Sequence, residues 1–169
     1  FPRELMIAAG VAVPREGDPG HACYDRFRGR LMFPIWDELG RVVGFSARVL
    51  RADDQGAKYV NTPETAIFRK GRLLYALHLA RNTFRELGGA LVCEGQLDTI
   101  AWHRAGLTNA VAPQGTAFTD NHARLLRRFT DMVILAFDAD SAGEKAAVRS
   151  IDIAHQAGDS TRALEYLEA

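Results

Sequence analysis

The chain has 169 residues, 47% of them hydrophobic and 25% charged, which suits one compact domain or two small packed subdomains. No apolar run approaches the ~20 residues that span a bilayer, and Phe1-Pro2-Arg3-Glu4-Leu5 lacks the charged-then-apolar layout of a signal peptide, so no membrane association and a cytoplasmic location are expected. The net charge is zero, yet residues 1–87 hold 14 Lys+Arg against 10 Asp+Glu and residues 88–169 hold 7 against 11.

A basic first half suits phosphates and an acidic second half suits metal ions, although uneven surface solvation gives the same counts. Cys23 and Cys93 lie far apart, with no Cys-x-x-Cys or His-x-x-x-His spacing. The expectation is therefore two reduced thiols, with Cys93 buried in a strand, and no zinc site.

In chain order, residues 1–25 are weakly patterned and broken into loops by Pro14, Gly17, Pro19 and Gly20. Leu31 to Trp36 reads as a strand, Asp37 to Gly40 as a turn, and Arg41 to Leu50 as the returning strand of a hairpin. Pro34 points to an edge position or a bulge. Arg51 to Gly56 is a polar turn, and Lys58 to Asn61 a short extended piece. Leu74, Leu77, Leu79, Ala80, Phe84 and Leu87 fit a helix that stops at Gly88-Gly89.

Strands and helices then alternate. The expected elements are a buried strand Ala90–Cys93, a helix from Gln96 to Ala105 closed by Gly106, and a strand Asn109–Ala112. A helix capped by Thr119 or Asp120 follows and runs to Phe129. After it come a strongly apolar strand Met132–Phe137, a helix Ser141–Gln156 ending near Gly158, and a last strand Arg162–Leu167. Strands separated by helices of this length imply βαβ crossovers and a parallel sheet.

In such a sheet, ligands gather at the C-terminal ends of the strands. Glu94 directly follows one strand, with Asp98 four residues on, where the next helix has made a turn. Asp138 and Asp140 directly follow another strand. An acidic residue after a strand often simply caps the next helix, and Asp140 fits that role too. Together, however, carboxylates converging at strand ends repel one another unless cations hold them. A donor set with oxygen alone favours magnesium or manganese, which act on phosphoryl groups.

Glu94-Gly95 with Asp98, followed by Phe137-Asp138-Ala139-Asp140, resembles the Toprim signature shared by primases, topoisomerases and some nucleases. The first half narrows the choice. Tyr24-Asp-Arg-Phe-Arg-Gly-Arg-Leu-Met-Phe-Pro-Ile35 resembles the opening of the polymerase core of bacterial DnaG-type primases. Gly40 to Phe45, Arg48 to Leu50, Lys58 to Thr65 and Phe68 to Tyr75 continue the likeness, as do Ala110 to Ala112, Gly115-Thr116 and Asp140 through Arg149.

The resemblance implies an α/β fold: a Toprim-type parallel sheet flanked by helices over 88–169, preceded by a smaller β-rich (α+β) basic subdomain over 1–87. It implies RNA primer synthesis on a single-stranded DNA template from ribonucleoside triphosphates, with Glu94, Asp98, Asp138 and Asp140 holding divalent metals. Arg26, Arg28, Arg48, Lys58, Asn61 and Lys70 match positions that line the template and nucleotide groove in primases. Lys and Arg neutralise phosphates without reading bases, which suits copying of many sequences.

The family's N-terminal zinc-binding domain and its C-terminal domain for the replicative helicase have no counterpart in these residues. Nor has a further Asp-x-Asp pair that follows the last strand in the family. A catalytically incomplete DNA-binding fragment is therefore one competing reading. A Toprim nuclease or topoisomerase is the other, although the basic segment does not resemble theirs. Trp36, Trp102, His103 and His122 read as packing residues. Lys145 and Arg149 either pair with the carboxylates or contact phosphate.

Overall fold

The computed structural model describes residues 1–15, 17, 22–51 and 56–158, together with the backbone of 160–165. It divides into two compact units, one of Phe1–Ile35 with Val42–Arg69 and one of Trp36–Arg41 with Lys70–Ala169.

The first unit opens with a helix where only loops were expected, α1 (Arg3–Ala8). Two short antiparallel strands follow, β1 (Ala12–Pro14) and β2 (Cys23–Asp25), with Val13 opposite Tyr24. Pro19 and Gly20 lie outside the described residues. The expected hairpin is present as β3 (Arg30–Trp36) and β4 (Val42–Val49), joined by β5 (Tyr59–Asn61) in a sheet ordered β3-β4-β5. β3 is thus an edge strand, which accommodates Pro34 and its missing N–H. Of the polar turn at 51–56, residues 52–55 lie outside the described set. The core of this unit includes the fully buried Phe68 and Ile35, with Phe27 edge-on to Phe45 at 6.0 Å between ring centres. Buried Thr62 closes the sheet by accepting the Phe45 N–H on its hydroxyl at 2.8 Å.

The second unit is built on a five-stranded sheet. A short helical turn at Lys70–Arg72 leads into β6 (Leu74–Tyr75) and α2 (Leu77–Ala80). Here the expected helix from 74 to 87 is corrected. Leu74 and Tyr75 pair antiparallel with Pro113 and Ala112, and Ala76 takes a left-handed φ of 62° that separates strand from helix. The backbone beyond Ala80 proceeds as turns. The apolar spacing is real, since Leu74, Leu77, Ala80 and Phe84 are all buried in one core, but a sheet edge consumes its first turn.

The alternating elements follow in the expected order, although α4 ends three residues before Phe129 and β10 starts two before Arg162: β7 (Ala90–Cys93), α3 (Gln96–Arg104), β8 (Ala110–Pro113), α4 (Asp120–Leu126), β9 (Met132–Phe137), α5 (Ser141–Gln156) and β10 (Ser160–Glu165). Residues 166 and 167 of the expected last strand lie outside the described set. The strand order is β10-β9-β7-β8-β6, parallel throughout except at β6.

Every residue of β7 and β8 is buried, which explains their unbroken apolar sequence. One face packs Val92, Val111, Val133 and Leu135 beneath α4 and α5, and the other packs Leu91, Cys93, Ala110 and Ala112 against Trp102. Gly89 enters β7 at a φ of 139°, and a Cβ there would lie 2.7 Å from the Met132 carbonyl, so the tight entry requires glycine.

His103 and His122 are structural. His103 Nε2 bonds the Ala110 carbonyl at 2.9 Å. His122 is fully buried, takes the Thr119 N–H on Nδ1 at 3.2 Å and donates from Nε2 to the Lys70 carbonyl at 3.0 Å. Trp36 stacks on His78 at 5.3 Å. No helix among the described residues is long and apolar enough to cross a membrane.

Candidate functional site

β7 and β9 are hydrogen-bonded neighbours, with Cys93 level with Ala136. Their C-terminal ends therefore deliver Glu94 and Asp138 to adjacent positions at one edge of the sheet. The two are joined directly: the Asp138 N–H donates to Glu94 Oε1 at 3.0 Å. Asp140 is the N-cap of α5, its Oδ1 accepting the N–H groups of Ala142 at 2.9 Å and Gly143 at 2.7 Å. Asp98, in the first turn of α3, turns back to accept the Gly95 N–H on Oδ2 at 2.9 Å. In each of Glu94, Asp98 and Asp140, one oxygen is thus engaged by the backbone.

The acids act on one another electrostatically. Burial raises the Glu94 pKa above its ordinary value, and the charges of Asp138, Asp140 and Asp98 raise it further against the opposing Asp138 N–H. Burial also raises Asp98, with Asp138 adding to it and the Gly95 N–H opposing. A cation among them would relieve this repulsion. The donors are oxygen alone, the chemistry that suits a hard divalent ion. Among the described residues, no three His, Cys, Asp or Glu side chains already stand together at metal-holding spacing.

Beside the acids lies a cleft of about 280 Å³, which Glu94, Asp140, Thr116, Phe118, Gly143 and Arg149 help to line. Gly143 lets the first turn of α5 press onto the end of β9: a Cβ there would collide with the Asp138 carbonyl and lie 3.1 Å from Glu94 Oε1. This is a residue whose part in the site only the structure explains. Its signal in the sequence was its position three residues after Asp140 in the Toprim-like run. Neither Lys145 nor Arg149 forms an ion pair with the carboxylates among the described residues. Cys93, at the end of β7, is inert: its thiol donates to the Val111 carbonyl at 3.3 Å, and burial pushes its pKa up to about 12.

The basic candidates divide between the units. In the first, Arg48 and Lys58 line a common cleft of about 660 Å³. Arg48 lies over the Tyr59 ring at 5.8 Å, and Arg28 over the Tyr24 ring at 4.7 Å. Arg26 has a structural duty, its Nε donating to the Gly10 carbonyl at 2.7 Å. Asn61 lies in β5 opposite Ser46, and its side-chain oxygen is buried without a hydrogen-bond partner among the described residues. Lys70 belongs to the second unit, where its carbonyl receives the His122 bond.

Comparison with known sequences matches residues 1–81 to the DNA primase catalytic core, N-terminal domain, and residues 91–168 to a Toprim-like domain. A DNA primase of Deinococcus radiodurans is 53% identical over 87% of this chain and 25% of its own length. The solved E. coli primase catalytic core superposes with a TM-score of 0.87 at 42% identity, covering 98% of this chain and 52% of that one. A DnaG primase catalytic domain solved bound to single-stranded DNA matches with a TM-score of 0.86 at 41% identity, over 98% of this chain and 53% of that one. The chain spans about a quarter of the length of the curated relatives that it matches. With the two domain matches in tandem and the acidic strand ends in register, the chain belongs to the bacterial DnaG-type DNA primase family.

Proposed function

We propose that these residues form the copying centre of a cytoplasmic primase that builds RNA primers on single-stranded DNA. A 3′-hydroxyl attacks the α-phosphate of an incoming ribonucleoside triphosphate, and pyrophosphate leaves. The observation that carries this reading is the Asp138-to-Glu94 bond, which ties two acidic strand ends together beside Asp140 in a chain of the primase family.

Magnesium or manganese fits the oxygen-only donors; Glu94 would hold the ion nearest the chemistry, with Asp138 and Asp140 holding neighbouring ions and Asp98 supporting them. The chemistry that such an ion supplies when bound is neutralisation of phosphoryl charge and alignment of the attacking and leaving oxygens. The protein's own contribution is to hold the carboxylates still. The Asp138 N–H orients Glu94, and two amides of α5 orient Asp140.

In this reading residues 1–87 serve template and nucleotide, and residues 88–169 the metal. Arg26, Arg28, Arg48, Lys58 and Lys70 would bind phosphates of the DNA and the ribonucleotides, as charge without base readout allows, with Asn61 as a neutral polar member of the groove. The replicative helicase would be engaged by a C-terminal domain outside these residues. The DNA-bound relative supports the template assignment.

The test uses a primase of full family length carrying this segment, incubated with single-stranded DNA, magnesium and labelled ribonucleotides. The expected result is short RNA with the DNA uncut, lost on Glu94→Gln. Cleavage of the DNA, or undiminished synthesis by Glu94→Gln, overturns the reading.

A further inference from the structure

None of the individual site residues named above lines a second cleft in the Lys70–Ala169 unit, of about 630 Å³. One wall is the turn at Trp36–Arg41, which belongs to this unit, and the opposite wall is a face of α4. Asn121, Arg124 and Leu125 share that face at helical spacing, Arg128 follows two residues past the helix end, and all four line the cleft. Its floor is apolar, made by Leu73, Leu74 and Leu77, and Leu39 stands exposed at the rim.

The charges do not balance. The cleft holds two acids and four arginines. Asp37 is taken by Arg41, Nε to Oδ2 at 2.7 Å and a second guanidinium contact at 2.7 Å. Glu38 is taken by Arg128 in a forked pair at 3.0 and 2.7 Å. Arg72 and Arg124 have no carboxylate partner among the described residues, and Arg124 is held only through its Nε on the Asp120 carbonyl at 3.2 Å. Two guanidinium forks therefore line a leucine-floored cleft with no carboxylate partner among the described residues.

We propose that this cleft is a docking site for an acidic peptide segment of a partner protein, in which an apolar side chain lies between Asp or Glu residues. The apolar residue fills the leucine floor, and the flanking carboxylates pair with Arg72 and Arg124. A nucleic-acid backbone fits less well. It would leave the leucine floor uncovered.

The test is a titration of the ¹⁵N-labelled chain with an eight-residue peptide, Glu-Asp-Leu-Glu-Asp-Leu-Glu-Asp, followed by amide shifts. Saturable shifts at Arg72, Asn121, Arg124 and Arg128 are expected. The double variant Arg72→Glu/Arg124→Glu should weaken binding at least tenfold with its spectrum otherwise preserved, as both side chains are exposed. Leu39→Ser should weaken it several-fold without changing the charge. The proposal is overturned if those amides do not shift, or if a Leu-to-Ser version of the peptide binds equally. It is also overturned if charge reversal has no effect, or if an oligothymidine displaces the peptide from the same amides.

Discussion

Glu94 and Asp138 are 44 positions apart in sequence, yet the backbone N–H of Asp138 donates to the Glu94 carboxylate at 3.0 Å. That bond exists because β7 and β9 are parallel neighbours in register, so the residues just past each strand end meet. It orients a carboxylate that three other acids repel. Replacing Glu94 with Gln keeps an oxygen to accept the Asp138 N–H and removes the repulsion. Glu94→Gln is therefore expected to melt no lower than the parent chain by calorimetry, while under the proposed function primer synthesis by a full-length primase carrying the substitution falls by a factor on the order of 10² or more.

Asp140 has separable structural and chemical duties. Its Oδ1 caps two amides of α5. Asp140→Asn keeps the cap and removes the charge, so stability should change by less than about 0.5 kcal/mol while metal affinity drops. Asp140→Ala removes both, and should cost a further ~1 kcal/mol in urea unfolding. Equal stability of the two variants would contradict the capping role.

Gly143→Ala tests the packing of α5 on β9. Alanine ordinarily favours a helix interior over glycine by about 1 kcal/mol. Here its Cβ would collide with the Asp138 carbonyl and lie 3.1 Å from Glu94 Oε1, so the neighbouring backbone must shift. A net loss of roughly 1–3 kcal/mol is expected instead. A stabilised Gly143→Ala would show that α5 can pull back freely.

His122 links stability to pH. Burial lowers its pKa below the usual value, against the raising effect of its bonds to the Lys70 and Leu73 backbone. The folded state thus holds it neutral, with Nδ1 accepting and Nε2 donating. The unfolded chain binds the proton near pH 6.5. The stability this group contributes is complete above that value and is lost as pH falls towards the folded pKa. Between pH 7.5 and 5.0 the urea midpoint should fall, and His122→Gln should fall less across the same range, from a lower start at pH 7.5.

Much of this architecture is legible in the residues. The apolar runs at 90–93 and 132–137 mark buried strands, and the acids after them mark the edge where a ligand belongs. Less legible is anything set by a distant partner. Residues 74–87 carry helical spacing, but pairing of Leu74 and Tyr75 with β8 turns their first residues into an edge strand. The order β10-β9-β7-β8-β6 is likewise invisible to local pattern. The candidate acids stand out in the sequence, but their backbone engagements do not. Nothing local predicts that Arg26 spends its Nε on the Gly10 carbonyl, or that Gly143 matters for its contact with Asp138.

Under the proposed function, the acids at the ends of β7 and β9 form a divalent-ion site. The direct measurement is anomalous diffraction from crystals of the chain soaked in manganese. Peaks within coordinating distance of Glu94 and of the Asp138/Asp140 pair are predicted, and they should vanish in Glu94→Gln. Manganese bound only elsewhere, or bound equally well without the Glu94 charge, would contradict the account.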